Sequence, residues 1–345
     1  ISNTQGGQLS GGSLHVNANT VDNSGGAIGN VANTNGDVNV ATGGAITNTN
    51  GRVSSTRNLT MSVATLLGGG AYSAARDVNV NLQGDYVSTS DTQFNVGHDL
   101  TFTLPGTFKN NANLQSVNNL SVNAGNIVNV GALTAGGLLR TQSANLYNTG
   151  ALVGANASLN ATGTISNVGA SALIGGSDAN GTLEILARDI ENRDDTSSAD
   201  TMATTAIFGM GKVVLAGGRD ASGNYANAAL VNNASALIQS GGDMELHADR
   251  VTNTRRQMQT SGGTTSVDPA VLEQLGISMS GCIAYYMAAC SGQDVHWINL
   301  SRDPNYPDYD PAPIIAKLQT QPGGVFTVPP NGGQWNSGYQ YTTYT

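Results

Sequence analysis

The chain has 345 residues and a formal net charge of −9, and only 11% of its residues are charged and 5% aromatic. This composition argues against an ordinary globular domain, in which about a quarter of the residues are charged. It also lacks the basic stripe that nucleic-acid binding requires and the run of about 18 apolar residues that a membrane-spanning helix requires.

Residues 1–107 carry an irregular form of a repeating pattern. An apolar residue, a spacer and an asparagine occur at residues 21–23 and again at 46–48, separated by short segments that alternate apolar with polar residues. Such alternation is typical of half-buried β-strands. Residues 68–107 keep the alternation but lack the asparagine, which predicts different corners. The chain begins inside this pattern without a charged and apolar leader, so we expect a piece of a longer protein.

The pattern becomes regular near the middle of the chain. The same motif returns every 19 residues and ends at Asn110, Asn129, Asn148 and Asn167. Fixed self-similarity near 20 residues indicates stacked units that bury their apolar faces against each other. The many glycines would each penalise a helix by about 1 kcal/mol, so the units are strands and corners. The sequence predicts an all-β, right-handed parallel β-helix over residues 1–256, with small and branched apolar side chains inside.

The recurring asparagines have two interpretations. Asparagines that return at one corner of a solenoid can stack as a ladder of side-chain amide hydrogen bonds along its axis. Alternatively, asparagine is there because it tolerates the left-handed backbone of a tight turn. The sequence does not distinguish the two.

Residues 193–225 interrupt the repeat. Three acidic residues, Asp194, Asp195 and Asp200, lie among serines and threonines, and the motif resumes only at residues 230–232 and 251–253. Insertions between coils lie on the surface and often form the binding face. We therefore expect a loop or hairpin that projects from the solenoid, the alternative being a disordered excursion.

The chemistry changes after residue 256. Eight of the nine prolines and both tryptophans lie beyond residue 265. Proline lacks the backbone donor that each coil gives its neighbour, so residues 257–345 are predicted to be an irregular segment that caps the solenoid, lies along it or is disordered. Within them, Asp268 and Pro269 predict the start of a short helix that ends at Gly276.

The two cysteines, Cys282 and Cys290, lie eight residues apart. In an exported protein such a pair predicts a disulfide that closes a small loop and stabilises the folded state by about 2 to 3 kcal/mol. A cysteine nucleophile paired with His296 is the alternative, but no local motif supports it.

Motifs for catalysis or metal binding are incomplete. Residues 209–212 resemble the end of a phosphate-binding loop but lack its first glycine and its hydroxyl residue. Asp303, Asp308 and Asp310 lack the glycine and distal glutamate of a calcium loop. Glycoside cleavage needs two facing carboxylates, and the acids of the repeats are isolated. The sequence therefore predicts no enzyme, and no catalytic, cofactor-binding or metal-binding residues.

The repeats resemble the haemagglutinin-repeat region of bacterial two-partner-secretion exoproteins, which include the filamentous haemagglutinins and the CdiA-type effectors of contact-dependent growth inhibition. The resemblance lies in units such as residues 114–129 and in the exit sequence 248–256. In CdiA-type proteins such repeats lead into a receptor-binding region and a segment rich in tyrosine and proline. Residues 266–345 resemble that transition.

The resemblance implies a secreted, monomeric filament on the bacterial surface, exported by a partner transporter of the outer membrane. Its expected function is to bind a receptor on a target bacterium, either an outer-membrane protein or a glycan, and so position a toxin carried elsewhere in the full-length protein. A general adhesin for host glycans or proteins and a passive stalk are the alternatives. Aromatic side chains dominate interfaces, and the candidate receptor-binding residues are Phe208, Tyr225, Tyr285, Tyr286 and Trp297.

Overall fold

The computed structural model describes residues 1–195 and 205–255 together with Ala312. The coils described below belong to one compact unit, Ile1–Met258. Within the described part of the chain, no helix is long and apolar enough to cross a membrane.

The regular elements are β-strands. The first half of the solenoid contains β1 (Gln8–Gly11), β2 (Leu14–Ala18), β3 (Val21–Asp22), β4 (Ala27–Asn30), β5 (Val38–Thr42), β6 (Ile46–Thr47), β7 (Arg52–Ser55), β8 (Leu59–Val63), β9 (Leu66–Leu67), β10 (Ala71–Ala74), β11 (Val78–Leu82), β12 (Tyr86–Val87), β13 (Gln93–Val96), β14 (Leu100–Thr103), β15 (Thr107–Asn110), β16 (Asn113–Ser116), β17 (Leu120–Asn123) and β18 (Asn126–Asn129). The second half contains β19 (Ala132–Ser143), β20 (Asn145–Asn148), β21 (Ala151–Ala161), β22 (Thr164–Val168), β23 (Leu173–Gly176), β24 (Thr182–Leu186), β25 (Asp189–Arg193), β26 (Ala206–Gly209), β27 (Lys212–Ala216), β28 (Gly218–Arg219), β29 (Tyr225–Ala226), β30 (Leu230–Ala234), β31 (Leu237–Ser240), β32 (Met244–Leu246) and β33 (Val251–Thr254).

These strands wind into about 11 coils of a parallel β-solenoid. Each coil contributes to three faces, which we call the first, second and third faces after β1, β2 and β3. The long strands β19 and β21 run through the corner between the first and second faces. Leu114, Leu133 and Leu152 lie in register in successive coils. The predicted all-β solenoid of parallel strands is therefore confirmed.

The core is a column of inward-pointing apolar side chains. On the second face, Leu100, Leu120 and Leu139 are in register and fully buried. Burial of one such side chain stabilises the fold by about 1.5 to 3 kcal/mol. Because strand side chains alternate between the two sides of a sheet, the residue that follows each of these leucines along its strand points to solvent.

The recurring asparagines form a ladder of side-chain amides at the end of the third face. Each side-chain amide donates to the side-chain oxygen in the next coil, at 2.7 to 2.9 Å, in two runs: Asn3, Asn23 and Asn48, then Asn110, Asn129, Asn148, Asn167, Asn192, Asn233 and Asn253. Outside glycine, positive φ among the described residues occurs only at Gln5, Asn33, Asn50 and Ser235. The ladder is thus confirmed, and left-handed turn geometry does not explain these asparagines.

The third face is broken between β9 and β12. Its strands form one sheet of three, β3, β6 and β9, and a second sheet of eight that begins at β12. At the break Gly68 occupies the ladder position, and Gly68, Gly69 and Gly70 all have positive φ. A Cβ on Gly70 would lie 2.0 Å from the backbone oxygen of Asn48, so no larger residue fits. The ladder restarts at Ser88, whose hydroxyl donates to Asn110 Oδ1 at 2.8 Å.

An aromatic cluster fills the interior next to this break. Ring centroids lie 4.9 Å apart for Tyr72 and Phe94, 5.2 Å for Phe94 and Phe102, and 5.0 Å for Phe102 and Phe108. Tyr86 lies 5.7 Å from Phe102 and completes the cluster. Burial raises the pKa of Tyr72 and of Tyr86.

The interruption predicted at residues 193–225 contains strands of the stack as well as a hairpin that leaves it. β26 and β27 pair in register with β23 and β24 of the preceding coil, so residues 206–216 are strands of the stack. The part that leaves the stack after β27 is the short hairpin of β28 and β29. The predicted helix, the disulfide and the irregular segment at 257–345 lie outside the described residues, apart from Ala312.

Candidate functional site

The hairpin of β28 and β29 leaves the solenoid between the second and third faces. Arg219 pairs with Tyr225 across it. At its tip, the Asp220 carboxylate accepts backbone N–H bonds from Ser222 at 2.8 Å and Asn224 at 2.9 Å. These donors, with the Asn224 bond first, lower the pKa of Asp220. The short loop is therefore closed by its own side chain, as is common in tight turns.

Glu184 of β24 attaches the hairpin to the preceding coil. Its Oε2 accepts hydrogen bonds from the Tyr225 hydroxyl at 2.6 Å and from Arg219 Nη2 at 2.6 Å. The guanidinium carbon of Arg219 lies 4.1 Å from the centroid of the Tyr225 ring, within range of a cation–π interaction. The Glu184 side chain is 15% exposed, so the three groups form a partly desolvated cluster at the surface.

Both partners of Glu184 respond to its charge. Burial raises the pKa of Tyr225 to about 12, and the hydrogen bond to the Glu184 carboxylate adds to this shift. The hydrogen bond from Arg219 to Glu184 raises the pKa of the guanidinium. The neutral phenol and the charged guanidinium are thus the forms held against Glu184.

Tyr225 spans the outer side of the second face. Its ring lies 5.1 Å from that of His247, in the coil that follows. Glu184, Val214 and Glu245 are in register beneath this span. Val214 points outward between its inward-facing neighbours but is fully buried. We attribute its burial to the hairpin, because the contacts of Tyr225 reach the coils on both sides of Val214.

A second charged group lies beside the hairpin. Glu245 accepts a hydrogen bond from Lys212 Nζ at 2.5 Å, and its other oxygen lies 3.3 Å from His247 Nε2. The bond from Lys212, and then the contact with His247, lowers the pKa of Glu245. We call this surface the hairpin face. It combines the ring of Tyr225, the cations of Lys212 and Arg219, and the carboxylates of Glu184 and Glu245 within three successive coils.

The structure separates the residues that the sequence singled out. Tyr225 is part of the hairpin. Phe208 lies half-buried in β26 on the first face, between Gly175 and Gln239 in register, so the two aromatic residues are on different faces. The other candidate receptor-binding residues, Tyr285, Tyr286 and Trp297, lie outside the described residues. So do the two cysteines of the predicted disulfide, Cys282 and Cys290. Sequence reasoning missed Glu184, Arg219 and His247, which are brought together only by the register of the coils.

A second surface lies on the third face. Val87, Lys109, Val128 and Tyr147 are in register on its outer side, and Val87 is 54% and Tyr147 42% exposed. Tyr147 is the spacer residue of the repeating motif. The alternation of the strand is what turns such spacer positions to solvent.

The residues that resembled a phosphate-binding loop have a structural role. Gly209 ends β26 and Lys212 begins β27, so the segment is a corner between two faces. A Cβ on Gly211 would lie 2.3 Å from the backbone oxygen of Gly181. Its glycine is thus required by the close approach of neighbouring coils.

The chain is homologous to segments of two CdiA toxins. It is 72% identical over 344 residues to the tRNA nuclease CdiA-2 of Burkholderia pseudomallei (strain 1026b), and this match covers 100% of the chain and 11% of that protein. It is 36% identical over 314 residues to the toxin CdiA of Yersinia pestis, which covers 80% of the chain and 8% of that protein. The chain thus spans about a tenth of the length of these relatives. No family model and no solved structure matches it.

The prediction that the chain is not an enzyme is contradicted by this comparison, because the relative that matches the chain from end to end is named a tRNA nuclease. The prediction rested on the lack of facing carboxylates for glycoside cleavage, on an incomplete phosphate-binding loop and calcium loop, and on a cysteine nucleophile without a supporting motif. Those tests address a few local motifs only, in a segment that makes up 11% of the relative.

Proposed function

We propose that this chain is an extracellular β-solenoid segment of a toxin of the CdiA kind and that it contacts a receptor on the surface of a target bacterium. The homology to two CdiA toxins along the chain supports the first part. The hairpin face carries the second part: Arg219 and Tyr225 project from the stack of coils and are held by Glu184. Tyrosine and arginine are among the residues most enriched at positions that dominate interface energies.

The hairpin is suited to binding because it is preorganised. Its tip is closed by Asp220, and its base is fixed by two hydrogen bonds to a carboxylate in another coil. A rigid contact element loses less conformational entropy on association than a mobile loop does. The receptor is an outer-membrane protein or a glycan, and a partner transporter of the outer membrane exports the chain.

Binding of the purified 345-residue chain to susceptible cells tests this proposal. We expect the double variant Arg219→Ser and Tyr225→Ser to bind at least about tenfold more weakly, as is typical for the loss of two central contacts. Tyr147→Ser, which removes an exposed tyrosine from the third face, is the matched control and should bind normally. Equal binding by all three chains would contradict the role of the hairpin.

Two outcomes distinguish the alternative functions. Retention on a glycan array together with binding to cells that lack individual outer-membrane proteins would favour a general adhesin. Absence of binding to cells and glycans alike would favour a passive stalk.

The name of one relative supports a second candidate function, cleavage of tRNA. Incubation of the purified chain with tRNA, followed by gel electrophoresis, tests whether this segment has that activity. Cleavage that survives repurification and increases with the concentration of the chain would establish a nuclease in these residues.

A further inference from the structure

The corner between the first and second faces carries a second set of side-chain hydrogen bonds. In five successive coils, the residue before the second-face strand uses its Oδ1 to accept the backbone N–H of the equivalent residue in the next coil. These residues are Asp37, Asn58, Asp77, Asp99 and Asn119. For Asp77 and Asp99 these bonds measure 3.1 and 2.9 Å. The two carboxylates are therefore held in fixed orientations on neighbouring coils.

His98 lies between these carboxylates. Its Nδ1 is 2.9 Å from Asp77 Oδ1 and 3.5 Å from Asp99 Oδ1. The imidazole nitrogen and one oxygen from each carboxylate lie within 4.8 Å of one another. The three side chains are 48%, 30% and 34% exposed for His98, Asp77 and Asp99, so an ion from solvent can reach them.

We propose that Asp77, His98 and Asp99 bind a divalent transition-metal ion that links the coils containing β11 and β14. Imidazole and carboxylate together suit ions such as zinc, which binds nitrogen and oxygen ligands at about 2.0 to 2.2 Å. Two ligand atoms at that distance in a tetrahedral arrangement are about 3.4 Å apart. The observed nitrogen–oxygen separations of 2.9 and 3.5 Å bracket that value. Water completes the coordination, as in other sites with three protein ligands.

The free oxygens of the two carboxylates favour the site. Oδ2 of Asp77 and Oδ2 of Asp99 accept no hydrogen bond within the described ranges 1–195 and 205–255, so each carboxylate keeps an unused oxygen. Asn118 lies on the far side of the imidazole, with its Nδ2 3.3 Å from His98 Nε2, and the same amide donates to Asp99 Oδ1 at 2.8 Å. When Nδ1 binds a metal, Nε2 carries the proton and needs an acceptor. Water supplies it, because turning the Asn118 amide over would break its bond to Asp99.

The charge of Arg76 opposes the site. Arg76 precedes Asp77 and its positive charge acts on that carboxylate, which weakens attraction of a second cation. With three ligands and this repulsion, binding is weaker than at a closed structural site with four ligands. The proposal is independent of receptor binding, since it concerns a different corner of the solenoid.

Titration of the purified 345-residue chain with zinc chloride in a calorimeter tests the site. We expect His98→Asn and Asp77→Asn each to bind one zinc ion fewer than the unaltered chain, or to bind it at least about tenfold more weakly. Asp77→Asn keeps a side-chain oxygen that can still accept the backbone N–H of Asp99, so the corner itself is preserved. His15→Asn, at an exposed histidine on the second face, is the matched control. The two cysteines remain in every chain, so zinc bound by them cancels in the comparison.

Hydrogen exchange provides a second readout. Zinc should slow exchange at the backbone amides of Asp99 and Asn119, which donate to the two carboxylates, and it should not do so in His98→Asn. Circular dichroism of each variant confirms that the fold is retained. Unchanged zinc binding by His98→Asn, or an equal loss in His15→Asn, would overturn the proposal and leave His98 as a hydrogen-bond partner of Asp77.

Discussion

The regular coils from β15 to β22 and the junction between β9 and β12 hold neighbouring coils together by different means. In the regular coils the third face pairs in register and the asparagine ladder runs unbroken. At the junction the third face has no strand pairing, and Gly68 replaces the asparagine. The first and second faces continue through the junction, and the aromatic cluster lies next to it.

This difference shows that neither the ladder nor the third sheet is required at every step of the solenoid. Stability in stacked repeats is about the sum of the repeats and of the contacts between neighbours. A junction with fewer polar contacts can therefore persist where its neighbours are well packed. The aromatic rings pack the two coils that follow the junction, and strand pairing of the first and second faces crosses the junction itself.

The largest expected effect is at the aromatic cluster. Phe102→Ala should lower the free energy of unfolding by about 3 to 5 kcal/mol, because it leaves a cavity where the rings of Phe94, Tyr86 and Phe108 meet. Guanidinium-induced unfolding followed by circular dichroism measures the loss. Phe102→Leu keeps most of the volume and should lose clearly less. Equal losses would mean that the volume lost inside the aromatic cluster does not set the cost.

The next effect compares an internal and a terminal position of the ladder. Asn129→Ala should cost about 2 to 4 kcal/mol, because Asn148 Oδ1 loses the donor on Asn129 and Asn110 Nδ2 loses one of its acceptors. Asn48→Ala should cost less, because the next coil has Gly68 in place of an asparagine, so no asparagine oxygen loses its donor.

The control for the ladder is Asn123→Ala, an exposed asparagine on the second face. Its free energy of unfolding should change by no more than about 0.5 kcal/mol. A loss at Asn48 equal to that at Asn129 would show that hydrogen bonds between asparagines do not set the cost.

A smaller effect is expected in the dynamics of the unaltered chain. Backbone amides of β9 and β12 should exchange hydrogen about tenfold faster than those of β15 and β18, since fewer bonds must open to expose them. Mass spectrometry of peptides from each region measures this ratio. Equal exchange would indicate that the junction is as stable as the regular coils.

The smallest effect concerns the hairpin at high pH. The pKa of Tyr225 is raised from about 10 to about 12 in the folded chain, so the neutral phenol supports the fold. Its contribution is complete below pH 10 and is lost as the pH rises through about 12. Thermal unfolding at increasing pH should show this loss, and Tyr225→Phe should remove that part of the pH dependence.

Periodicity predicted much of the fold. The interval of 19 residues, the alternating strands and the buried leucines all follow from the spacing of apolar residues, and the irregular corner at residues 68–107 was expected because the asparagine is missing there. The break in the third face was not expected, because it depends on three glycines whose backbone conformation the pattern does not reveal. β26 and β27 were placed in an insertion because the segment before them lacks the motif.

The candidate sites were harder to predict. Tyr225 was identified by its aromatic side chain, but Glu184, which holds it, lies 41 residues away. Asp77 and His98 are 21 residues apart, and the sequence predicted no metal site because metal-ligand motifs are usually sought within short spacings. In a solenoid, residues one coil apart are spatial neighbours, so comparing equivalent positions of successive strands would have revealed both groups.

The asparagine ladder also has a direction. In every hydrogen bond of the two runs the amide of the earlier coil is the donor and the oxygen of the later coil is the acceptor. A coil on the C-terminal side of a ladder asparagine therefore meets an N–H donor, and a coil on its N-terminal side meets an oxygen acceptor. The two sides of each of these coils are thus chemically different, so that a coil stacked upside down would bring two donors or two acceptors together.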